Sequence, residues 1–259
     1  MRAAVAAEFR KLLTVRSWLW LLLVSVAWTA GYAAAGIALN GRAGSLVPPL
    51  ASAAGQHALF AIGAGGAGPL AAILGAAGTA GEYRHRTAAV TFLATPRRTR
   101  VIAAKLITYL AAGIGYALVC VAAEVAMALP WLAGQGIAVP LTGHGNLAVL
   151  GAVLVSAGLF GMTGAGLGAL LGSEITAIAG LLLYLYVAEP AVSHIAAFRS
   201  WTAYLPGVAA DGLTQAVQAG VRLLPPLARR PGIHRLGRRA SARRDRRHRP
   251  AGHHLTFTR

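Results

Sequence analysis

Five stretches of this chain run for bilayer length with little or no charge, and they constrain the fold more than any other feature. They are residues 17–39, 57–80, 101–129, 147–171 and 175–192, and 147–171 holds no charged side chain at all. About 20 apolar residues are enough to cross a hydrocarbon core. No water is available there to backbone amides and carbonyls, so each run must close its hydrogen bonds internally, as a helix. Composition agrees. The chain has 259 residues, is 56% hydrophobic and 12% charged, contains 32 glycines and has a mean hydropathy of +0.60. A soluble domain carries roughly twice that charge. The expected fold class is therefore an all-α integral membrane protein, a polytopic helical bundle.

The formal charge of +17 is unevenly placed. Eleven of the 24 Lys and Arg residues fall between Arg229 and Arg259. Much of the remainder lies in residues 1–16 and 81–105. That is a positive-inside pattern and not a nucleic-acid footprint, so no nucleic-acid partner is expected. A single cysteine, Cys120, excludes an internal disulfide and a Cys-based metal cluster.

Residues 1–16 read as an amphipathic helix at the inner membrane face, with Val5, Phe9, Leu12 and Leu13 on one side. The first span follows without a cleavage signal, because its apolar run is too long and more spans come after it. Polar residues 40–56 and 134–146 carry almost no positive charge and fit the outer side. Pro130 and Trp131 are expected to close the third span. Only Gly172, Ser173 and Glu174 separate the fourth and fifth, which forces an antiparallel hairpin. Glu174 is expected to cap the fifth span. Residues 193–224 read as an outer loop with short helices, and 228–259 as an Arg-rich, disordered tail. A poor sixth span at 205–227, or a sequence running out of frame near Arg229, are competing accounts of that end.

Motifs for chemistry are scarce. Neither lysine, Lys11 or Lys105, has the glycine spacing of a phosphate-binding loop. No paired carboxylates mark acid–base catalysis, so no catalytic residue and no enzyme activity are expected on this chain. His253 and His254 are too little to predict a metal site, and none is expected. Glu124 lies well inside the third span and marks an intramembrane polar site; water at the outer end or a neighbouring helix is the expected partner. Gly164, Gly168 and Gly172 repeat every fourth residue and predict a close helix-packing seam.

The segment GEYRHRTAAVTFLATPRRTRVIAAK, residues 81–105, carries a quarter of the basic residues between two spans. GEYRHRT reads as a charged turn, and Pro96 ends any short helix by Ala94. Together with the amino-terminal EFRKL and the Trp-rich first span, this segment resembles the permease subunits of type-2 ABC exporters. The resemblance rests on Gly81, Glu82, Arg84, Thr87, Thr95, Pro96, Arg97, Arg98 and Lys105, and covers about residues 7–227. It implies a six-span fold, of which five spans are evident here and the sixth is doubtful or lost. It implies a cytoplasmic segment that couples to a separate ATP-binding subunit, through Gly81, Glu82, Tyr83, Arg84, Arg86, Thr87, Pro96, Arg97 and Arg98. ATP and Mg would sit on that partner, and this chain would bind no cofactor. A second permease copy and the lipid bilayer complete the expected partners. The location implied is the cytoplasmic membrane of a bacterium, with the amino terminus inside. The activity implied is export of an amphipathic or hydrophobic compound. An ATP-independent secondary transporter using Glu124, or a truncated, non-functional membrane protein, are the alternatives the residues leave open.

Overall fold

The computed structural model describes residues 1–42, 45, 47–84, 98–143, 145–195, 205 and 208. All the regular structure among them is helical: α1 (Arg2–Thr14), α2 (Ser17–Ala38), α3 (Ala53–Arg84), α4 (Arg98–Gly134), α5 (Asn146–Leu171), α6 (Glu174–Leu183) and α7 (Glu189–His194). A turn of π-helix, Tyr184–Ala188, joins α6 to α7. Five helical stretches, with α6 to α7 taken as one, are long and apolar enough to cross a membrane. The tail at 228–259 and the possible sixth span at 205–227 lie outside the described residues, except for Leu205 and Val208.

Several boundaries differ from the sequence expectation. Residues 81–84 do not turn; they extend α3 to Arg84. Pro130 does not close the third span, because α4 continues to Gly134. Proline removes one amide donor and crowds the preceding turn, but a flanking helical run long enough to hold its other hydrogen bonds tolerates it. At 37 residues, α4 measures about 55 Å, well beyond a hydrocarbon core of about 30 Å. At least one of its ends must project past that layer. Glu174 is not the cap of the fifth span. Ser173 holds that position, and its side chain accepts a hydrogen bond from the Thr176 amide. Glu174 opens the helix, where its charge faces the positive end of the helix dipole.

The tightest contact joins α3 and α5, which run in the same direction. A methyl group at Gly168 would stand 2.5 Å from the Ala76 carbonyl oxygen, and one at Gly164 would overlap the Ala72 carbonyl. Gly75 and Gly113 are packed against the backbone of α5 in the same manner, at Gly161 and Ala157. Removing side-chain bulk at these positions lets the backbones themselves meet, which is how helices associate when water offers no hydrophobic drive. Gly172 does not belong to this seam. It ends α5 with φ of 61°, and its amide returns to the Gly168 carbonyl. Glycine is required there by the left-handed conformation and not by a close neighbour.

Around the seam, Tyr109, Tyr116, Val121, Val153 and Ala157 form the central packed cluster, with Leu21, Leu22 and Val26 of α2 against it. The Tyr116 hydroxyl donates to the Trp18 carbonyl and ties α4 to the start of α2. Helix α2 leaves Trp20, Val24 and Trp28 exposed along one side, as a lipid-facing helix does.

Candidate functional site

The starts of α2, α4 and α6 and the ends of α3 and α5 share one end of the bundle, and α1 lies against it. Four charged side chains meet there. Glu8 projects from α1, and Lys11 sits one turn further along the same helix. Glu82 lies in the last turn of α3, and Lys105 in the second turn of α4. The Lys105 ammonium donates to Glu8 Oε2 at 2.7 Å and to Glu82 Oε1 at 2.6 Å. The Lys11 ammonium donates to Glu8 Oε1 at 2.8 Å and to Glu82 Oε1 at 3.0 Å. Each lysine therefore bridges both carboxylates. A compact ammonium with three donors suits this pattern better than the planar guanidinium fork. The only two lysines in a chain with 22 arginines are both used here.

Burial makes the pairing obligatory. The side chains of Glu8, Lys105 and Glu82 are 7%, 9% and 12% exposed, whereas that of Lys11 is 45% exposed. An unpaired charge at such a depth would be strongly unfavourable. Burial works against the Glu8 carboxylate, yet hydrogen bonds and attraction from Lys105 and Lys11 outweigh it. They hold its carboxyl below the ordinary range. For Lys11, burial likewise favours the neutral form, and the hydrogen bonds from Glu8 and Glu82 overcome it, raising the ammonium above its usual value.

Beside the network opens a cleft of about 490 Å³. Leu12, Leu74, Ala77 and Tyr109 give it an apolar side, and Glu8, Lys11, Glu82 and Glu174 a charged one.

Of the residues singled out in the sequence, Glu82 turns inward to the lysines. Gly81 lines the cleft, Tyr83 is 41% exposed, Arg84 ends α3 and Arg98 begins α4. Arg86, Thr87, Pro96 and Arg97 lie outside the described residues. Sequence reading missed Glu8 and the role of both lysines, since the pairs span 71 and 97 positions. The rarity of lysine was the available signal.

At the opposite end a second polar cluster was equally hidden. Asn146, buried at the start of α5, donates to Gln56 Oε1 and to the Pro140 carbonyl, both at 3.0 Å. Gln56 donates in turn to the carbonyls of Ala138 and Leu50. These bonds pin the two connecting segments at that end to α3 and α5.

Glu124 neither reaches water nor bonds a neighbouring helix, contrary to expectation. It is 0% exposed, and neither carboxyl oxygen has a hydrogen-bond partner among the described residues. Among the described residues, no group of three or more His, Cys, Asp and Glu side chains is placed to hold a metal ion. No family model, curated protein or solved structure matches this chain.

Proposed function

We propose that this chain is the membrane permease subunit of a type-2 ABC exporter, moving an amphipathic or hydrophobic compound with energy from ATP hydrolysed on a separate subunit. In this reading the charged end faces the cytoplasm, and the segment between α3 and α4 is the docking surface for the ATPase. The supporting observation is the four-residue charge network. It clamps α1 to the last turn of α3 and the second turn of α4, the two helices that flank the docking segment. A force on that segment is thereby delivered to three helices together. Absence of a phosphate-binding loop from a chain with this architecture fits a motor carried on another subunit.

The experiment is co-purification with a co-expressed ABC ATP-binding subunit. Charge reversal at Arg84 and Arg86 should cut recovery of the ATPase about tenfold, roughly 1.4 kcal/mol, while membrane insertion stays normal. Undiminished recovery would remove the docking surface from this segment. Glu82→Gln tests something different, because its carboxylate is occupied by Lys11 and Lys105: it should loosen α1 before it weakens any docking.

A further inference from the structure

We infer that Glu124 is a proton-exchange site, neutral in the packed bundle and ionised when the contact between α3, α4 and α5 opens around it. This carboxyl is completely buried, and the described residues give neither oxygen a donor. Its surroundings are apolar and close. A methyl group at Gly63 of α3 would stand 3.4 Å from Glu124 Oε2, 3.3 Å from Val153 of α5 and 3.4 Å from Val121. The nearest titratable group on its own helix is Cys120, one turn back, whose sulfur lies 3.1 Å from the Ser25 hydroxyl of α2. Thr29, one turn beyond Ser25, is also buried. On α3 the nearest titratable group is His57, six residues before Gly63 and about 9 Å along the axis. Among the described residues, none of those facing Glu124 is a cation.

An ionised carboxylate without a donor or counter-ion in such a place would cost many kcal/mol, and the group takes up a proton in preference. The same surroundings supply a way out. Gly63 is the least bulky wall available, and Glu124 lies ten residues before the end of α4 at Gly134, about 15 Å of helix. That is the end where Gln56 and Asn146 form the second polar cluster. Separation of α3 from α4 at Gly63 would admit water from there and allow the proton to leave. Proton exchange of this kind would operate with or without an ATPase, so it stands apart from the docking proposal.

Infrared difference spectroscopy of the purified full chain against Glu124→Gln tests it directly. The expected result is a protonated-carboxyl C=O band at neutral pH that is lost in the variant and disappears reversibly as pH is raised. A carboxylate band in its place at neutral pH would overturn the inference. So would a neutral band that persists unchanged until the protein unfolds, because that acid would be locked and not exchanging. Should Glu124→Gln fail to fold, Glu124→Asp retains the acid, and the band should shift where it would otherwise be lost.

Discussion

At the residue scale, the contrast between Glu8 and Glu124 shows how much surroundings decide. Each is the only acid in its helix, and both are buried. Glu8 meets two ammonium groups and stays charged; Glu124 meets none. Lys105→Met should destabilise the protein by roughly 3–5 kcal/mol, because it leaves two buried carboxylates short of a partner. Thermal unfolding in detergent would measure the loss. The pH dependence has two limbs. The lowered Glu8 carboxyl contributes fully above the ordinary carboxyl range near 4.5, and its contribution is lost as acid passes through the lower native value. The raised Lys11 ammonium contributes fully below its usual 10.5, and its contribution is lost as pH rises through the higher native value. Glu8→Gln should therefore flatten the acid limb of the unfolding profile, and Lys11→Met the alkaline limb.

At the scale of elements, the α3–α5 seam is the part of the fold with least tolerance. Gly164→Leu or Gly168→Leu would push a side chain into the carbonyls of Ala72 or Ala76 and force the helices apart. Folded yield by size-exclusion chromatography should fall sharply for either. Gly172→Ala should be milder, about 1 kcal/mol, because only the left-handed backbone is penalised. The fourfold glycine spacing was legible in the sequence, since it follows from helix periodicity alone. That the third glycine ends the helix was not, because conformation at a helix terminus depends on where the chain turns. Helix ends misread elsewhere have the same origin. Residues 81–84 read as the start of a charged turn and Pro130 as a stop, yet the helices include them, held by the Glu82–Lys105 ion pair and by Leu132 packed beyond Pro130.

For the whole molecule, a cysteine placed at Arg100, exposed near the charged end, should react with impermeant reagents only from the cytoplasmic side of sealed vesicles. Reaction from the outer side would invert the proposed orientation and remove the docking segment from reach of any ATPase. The all-helical class, the five apolar stretches and their order were determined by the sequence, because a hydrocarbon layer allows a long apolar backbone few ways to satisfy its own hydrogen bonds. Pairing across the bundle was decided only by the tertiary structure. Glu8 and Lys105 are 97 positions apart, and whether a buried acid finds an ammonium or only glycine and valine depends on which helices meet. Local periodicity carries no record of that meeting; the packed helices supply it, and with it the charge that each acid can bear.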